Sequence, residues 1–314
     1  MTDGSFPILN RRRMALALAA TALTPGLAAG QDEGGGETRL LTNLLTRMAL
    51  PVTINGRRGP LFVVDTGAGR TVISGELVES LELPPGPEVL VHGLTAARIA
   101  PTARISRLGM GGRRFDDLNA PVFPRRTLAA DGLLGLDVLG GFRLDLLITS
   151  RRIRLTPSGP DVVPFGLGSG RASRVPRQER QARRGPFGAL ILRGFAGDLP
   201  IDVFVDTGAQ YSIGNIALLN AVGGTPAGLE RVTVFGVTGE VLAAASGQVD
   251  DLRLGTQRLG PTPLLFADLH AFRVLDLIER PALLIGADLL YRFREVTLDF
   301  GRSRMAFRGL RRPR

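Results

Sequence analysis

Cysteine and tryptophan are missing from this 314-residue chain, and so is lysine: all 39 basic residues are arginine. Without cysteine there can be no disulfide, thiolate nucleophile, zinc–thiolate site or iron–sulfur ligation. Histidine is almost absent as well, occurring only as His92 and His270, so a histidine-rich metal centre cannot be built. No G-x-S-x-G elbow points to a serine hydrolase. No metal or other cofactor is expected. Aromatic residues are only 5%, which leaves few stacking platforms beside the arginines. The net charge of +10 therefore reads as a solvated arginine surface, and no nucleic-acid partner is expected. An apolar content of 44% excludes general disorder, and beyond the N-terminal region no apolar run approaches bilayer-spanning length.

The first thirty residues have the layout of an export segment. "NRRRMALALAATALTPGLAAG" (10–30) joins three arginines to a short apolar stretch and then to small residues behind a Pro-Gly break. Arg11, Arg12 and Arg13 resemble a twin-arginine signal, with a general secretory signal as the alternative. Residues 1–30 are assigned to export, and a periplasmic or secreted protein is expected, with no stable membrane span beyond an uncleaved signal.

What the remainder does have is an internal repeat. "LFVVDTGAGR" (61–70) is answered by "DVFVDTGAQY" (202–211). Before the first Asp-Thr-Gly turn, two alternating apolar runs flank Asn55-Gly56, a strong hairpin signal. Before the second, "GALILRGFAGDLPIDVFV" (188–205) repeats the layout around a glycine-containing turn. "VHGLTA" (91–96) matches "VFGVTG" (234–239), and "LLGLDVLGGF" (133–142) matches "LIGADLLYRF" (284–293). The two acids stand 141 residues apart, the glycines Gly93 and Gly236 are 143 apart, and Gly135 and Gly286 are 151 apart. Conserved order with drifting spacing is the mark of a duplicated domain with loop insertions. A given tripeptide recurs by chance at roughly two in ten thousand positions, so accident is a weak competitor. "GMGGRRF" (109–115) could pass for a phosphate loop, but its counterpart "LGTQRLG" (254–260) has no phosphate signature, and both read as hairpin turns.

The repeated turn suits acid–base chemistry. An apolar strand delivers each acid to a fixed point. Gly67 and Gly208 permit unusual backbone angles or a close backbone approach, and the hydroxyls of Thr66 and Thr207 can lock one loop against its twin. Facing carboxylates a few ångströms apart cannot both ionise, so they share a proton. One could then take a proton from water while the other donates to a carbonyl, with an extended peptide lying across the site as an added strand.

These motifs resemble the aspartic peptidases over most of residues 45–310. Asp-Thr-Gly-Ala is of the retropepsin type, and "LLGLD" and "LIGAD" look like that family's apolar-apolar-Gly motif. The resemblance implies a mostly β fold: two homologous retropepsin/pepsin-like acid protease lobes with a cleft between them. It implies Asp65 and Asp206 as the catalytic pair, Thr66, Gly67, Thr207 and Gly208 as loop support, and substrate contacts from flaps around Gly93 and Gly236. A peptide or protein would be the substrate, and a monomer would pair its own lobes. Three alternatives stay open: a catalytically silent peptide-binding or inhibitor-like protein of the same fold, an obligate dimer using each lobe with another chain, or a surface-adhesion protein marked by the arginine-rich linker. Pepsin-like enzymes place a hydroxyl residue after Asp-Thr-Gly and a tyrosine in the flap. Here Ala68 and Ala209 follow the turns and neither flap has tyrosine, so a less acidic pH optimum than that of gastric enzymes is expected.

The expected boundaries are 31–157 for the first lobe, 158–187 for an exposed Arg/Gly/Pro-rich linker and 188–314 for the second lobe, each lobe carrying one short helix near its end. Asp137 and Asp288 read as helix N-caps. His92 reads as a contact or packing residue, His270 as a structural residue without a partner histidine, and Tyr211 and Tyr291 as packing residues.

Overall fold

The computed structural model describes residues 37–39, 41–42, 47–159, 178–226, 229–236 and 240–311. The export segment assigned to 1–30 and most of the linker lie outside the described residues.

The repeat is carried through strand by strand. In the first lobe the spatial order is Leu41–Thr42, Met48–Ile54, Arg57–Val64, Gly132–Leu134, Val72–Ser74, Arg113–Phe123, Ala97–Met110 and Pro85–His92. In the second it is Arg183–Arg184, Leu190–Ala196, Leu199–Val205, Ala282–Ile285, Ile213–Gly214, Gln257–Phe266, Val241–Leu254 and Arg231–Phe235. Each eight-stranded sheet curls until its second strand also pairs with its seventh, Thr53 with Gly109 and Phe195 with Arg253. The chain is mostly β with two related lobes, as the repeat implied.

Turn chemistry sets the hairpins. Asn55 and Gly56 both take positive φ, 48° and 87°, and close Ile54 onto Arg57. Gly111 and Gly112 do the same between Met110 and Arg113, so "GMGGRRF" is a hairpin turn. Strand Arg57–Val64 leaves its hairpin exposed and ends in the fully buried Phe62, Val63 and Val64. The acid that follows is thus presented from the most tightly packed end of the strand.

Two readings are corrected, the helix count and the linker. Among the described residues each lobe has three short α-helices, not one: Gly75–Ser80, Arg125–Leu128 and Leu136–Leu139 in the first, and Ile216–Ala221, His270–Val274 and Ala287–Leu290 in the second. At four to six residues they are too short to show a helical period. The lobes are also joined by a further six-stranded sheet, in which Phe142–Leu147 pairs with Glu295–Asp299 across the boundary. Finally, the end of the supposed linker is built into the fold. Arg180–Gln181 adds to strand Arg304–Arg308, and Arg183–Arg184 adds to Leu190–Ala196. The anchor is Glu179, 4% exposed, whose carboxylate meets Arg143 at 2.7 Å and Arg308 at 3.5 Å. A polar, proline-interrupted stretch shows no strand alternation when its order comes from partners elsewhere in the chain.

Candidate active site

Each acid is held by a parallel neighbour. Phe62, Val63 and Val64 run parallel to Gly132, Leu133 and Leu134, and the Asp65 amide donates to the Leu134 carbonyl at 3.0 Å. In the second lobe Asp202–Val205 runs parallel to Ala282–Ile285, and the Asp206 amide donates to Ile285 at 3.0 Å. The loop then folds back on its own acid. Asp65 Oδ1 accepts from the amides of Gly67 (2.9 Å) and Ala68 (3.0 Å), and Asp206 Oδ1 accepts from Gly208 (2.9 Å) and Ala209 (3.0 Å).

The two loops interlock about a pseudo-twofold axis. Thr66 Oγ1 donates to the Val205 carbonyl at 2.8 Å and accepts from the Thr207 amide at 3.2 Å. Thr207 Oγ1 donates to Val64 at 2.6 Å and accepts from the Thr66 amide at 3.1 Å. Gly67 and Gly208 have no positive φ; they are glycines because of close approach. A Cβ on Gly67 would stand 2.4 Å from the Asp206 carboxyl, and one on Gly208 would stand 2.4 Å from that of Asp65. Each carboxyl therefore lies against the opposite loop, and the two are within side-chain hydrogen-bond reach of each other. Burial raises the Asp65 carboxyl above the ordinary range, opposed by Arg47 and the two loop amides. Burial and the neighbouring Asp65 charge raise Asp206 well above it.

Behind each loop sits the glycine of the later motif. A Cβ on Gly135 would meet the Arg70 backbone at 2.3 Å, and one on Gly286 would meet that of Tyr211 at 2.5 Å. Asp137 and Asp288 are not N-caps, and this corrects the sequence reading. The caps are Gly135 and Gly286, which places the acids in the first helical turn, where they face the active loop. Asp137 Oδ1 accepts from the Thr71 amide (2.9 Å) and hydroxyl (2.8 Å). Asp288 accepts from the Ser212 amide at 3.1 Å and hydroxyl at 2.5 Å. The hydroxyl residue six positions after each catalytic-type Asp was the available signal.

Gly93 lies in the hairpin that joins His92 to Ala97, its amide donating to Ala96 at 2.8 Å. Gly236 follows the matching strand of the second lobe, its amide donating to Glu240 at 3.0 Å, and a Cβ there would strike the Thr95 hydroxyl at 2.2 Å, so Gly236 meets the tip of the first hairpin. The first tip also docks on the second lobe. Leu94 packs against the cluster containing Phe272, and its carbonyl accepts from the Ala271 amide at 3.2 Å. His270 does have a partner histidine, contrary to the sequence reading. Its Nε2 is 3.0 Å from Nδ1 of His92, with the rings stacked at 5.3 Å and 11°. The two residues are 178 positions apart, and only the closure of one lobe on the other brings them together. Tyr211 is half exposed rather than packed.

Sequence reasoning missed Arg47. Strand Met48–Ile54 runs antiparallel to Arg57–Val64 with Ala49 opposite Val63, a register that carries Arg47 to the level of Asp65. Its side chain is buried, at 5% exposed. Nη1 donates to the Gly208 carbonyl of the other lobe at 3.4 Å, and Nη2 donates to Leu128. The signal lay in comparing the halves: the second lobe pairs Ile191 with Phe204 and so sets Ala189, with no charge, opposite Asp206.

Among the described residues no three His, Asp or Glu side chains gather as metal ligands. A family model described as aspartyl protease matches residues 50–138 and 194–289, once in each lobe and together more than half of the chain. No curated protein matches it.

Proposed function

Because the chain belongs to the aspartyl protease family, we propose that it is an aspartic endopeptidase whose catalytic pair is Asp65 and Asp206. The observation that supports this reading most is the reciprocal geometry: each carboxyl lies against the other loop's glycine and accepts from its own loop's amides. Carboxyls so placed cannot both ionise, and one proton is shared between them. The ionised member removes a proton from a water held between the two. The resulting oxygen attacks the scissile carbonyl carbon while the protonated member donates to the carbonyl oxygen. Collapse of the tetrahedral adduct breaks the C–N bond, and the proton first taken from water passes to the leaving amine. Gly93, in the first hairpin, and Gly236, which meets its tip, would flank an extended peptide bound as an added strand.

The Thr66–Thr207 interlock within one chain supports a monomer whose own lobes pair. The segment 1–30 supports export to the periplasm or beyond, and 31–157 remains the proposed first lobe, while the second is drawn from Arg183, where its sheet begins. The raised carboxyls support an optimum above that of gastric enzymes. The test offers an unbiased peptide library between about pH 3 and 8 to the wild type, Asp65→Asn and Asp206→Asn. Cleavage by the wild type and loss of cleavage in each variant are expected. A single variant that cleaves as fast as wild type would overturn the assignment, and a profile peaking near about pH 2 would overturn the pH reading.

A further inference from the structure

A pair built by duplication would be symmetric if both halves presented the same surroundings, and here they do not. We propose that Arg47 is a positioning residue of the carboxyl pair: its buried cation singles out Asp65 as the carboxylate that stays ionised and leaves the shared proton on Asp206. This rests on the proposed peptidase reading for its catalytic consequence, but not for its electrostatics.

Three observations place the cation. The strand register sets Arg47 level with Asp65. Its Nη1 reaches the carbonyl of Gly208, the residue whose Cα lies against the Asp65 carboxyl. Its Nη2 reaches Leu128 of the same lobe, which fixes the guanidinium from the other side. The second lobe offers nothing equivalent, because the pairing of Ile191 with Phe204 sets Ala189 opposite Asp206, and Ala189 packs against the cluster containing Phe204 and Phe272. The duplication therefore delivers two carboxyls and one cation.

The charge balance agrees. Burial raises both acids, Arg47 is the first influence drawing Asp65 back down, and the Asp65 charge pushes Asp206 further up. Burial also opposes the charge on Arg47, and the two carboxylates support it, Asp65 ahead of Asp206. Other ionisable groups on the packed elements are turned away or engaged. Arg70, Arg125, Arg126 and Tyr211 are exposed. Asp137 and Asp288 are held by Thr71 and Ser212. A guanidinium also suits the role because its fixed fork reaches two carbonyls at once, those of Gly208 and Leu128.

The experiment uses the full chain with ¹³C-carboxyl aspartate, Asp65→Asn and Asp206→Asn identifying the two resonances. In the wild type with one proton on the pair, Asp65 should carry the ionised shift and Asp206 the protonated one; the reverse order overturns the proposal. In Arg47→Met the first deprotonation of the pair should move up by about one pH unit or more, tenfold in proton affinity. The acidic limb of the kcat/KM profile should follow it. Arg47→Lys, which keeps a cation but not the two-carbonyl fork, should hold the limb near its wild-type position. If Arg47→Met lowers kcat/KM equally at every pH and moves no carboxyl titration, Arg47 is a strut and the proposal falls. If Arg47→Met does not fold, the wild-type shifts and the lysine variant decide. A wild type that cleaves no peptide would defeat the peptidase reading while the carboxyl titrations still judged Arg47.

Discussion

Replacing Thr207 by valine isolates the interlock between the two loops. Valine keeps the shape of threonine and removes only the hydroxyl. The Thr207 side chain is fully buried, and its Oγ1 donates to the Val64 carbonyl at 2.6 Å and accepts from the Thr66 amide at 3.1 Å. Thr207→Val therefore strands one buried acceptor and one buried donor. An unsatisfied buried polar group costs about 1–3 kcal/mol, so a loss of about 2–6 kcal/mol is expected for the pair. Thr207→Ser keeps both bonds and gives up one methyl, for about 1 kcal/mol. Symmetry adds a second constraint, because Thr66 Oγ1 serves Val205 and the Thr207 amide in the same way, so Thr66→Val should lose as much as Thr207→Val. Urea unfolding of the four proteins measures all of this. The reasoning is refuted if Thr207→Val costs no more than Thr207→Ser, or if only one of the two valine variants is destabilised.

Two pH effects follow from the buried groups. Asp206 is raised in the folded chain, chiefly by burial and then by Asp65; its contribution to stability is therefore present below the unfolded pKa and lost as pH rises through the folded one. Asp206→Asn should stabilise at neutral pH, with a gain that fades toward about pH 3.5, which thermal unfolding at the two pH values checks. An equal gain at both would contradict it. His270 is lowered by burial first, then by His92 and Arg273, so the docking of the Leu94 tip is strongest with the His270 imidazole neutral and weakens as pH falls through the lowered pKa. Exchange protection of the Ala271 amide, corrected for intrinsic rates, should drop on acidification in the wild type and much less in His92→Phe. The same pH dependence in both proteins would exclude the histidine pair as its source.

What was legible in the sequence follows from repetition. Two Asp-Thr-Gly turns, each fed by a buried apolar strand and backed by a later glycine, identified both lobes and the facing acids, because that chemistry is written locally and written twice. Asn55-Gly56 and Gly111-Gly112 could be read as turns from their backbone freedom alone. The short helices stayed hidden because four to six residues hold too little of a period. Asp137 and Asp288 looked like caps because a helix-like run follows each of them, whereas their partners Thr71 and Ser212 lie far back in the chain.

By itself, then, the sequence determined the duplicated β architecture, the hairpins and the pair of acidic turns, since these depend on residue type and on spacing within a single half. Only the tertiary structure decided what crosses from one half to the other. The shared six-stranded sheet, which takes in Arg180–Gln181, the stacked His92 and His270, and the reach of Arg47 to Gly208 of the other lobe all belong to that class. The physical reason is common to them. A contact between residues more than a hundred positions apart leaves no period in the chain, and where the two copies differ, as at Arg47 and Ala189, only packing shows which difference reaches the site.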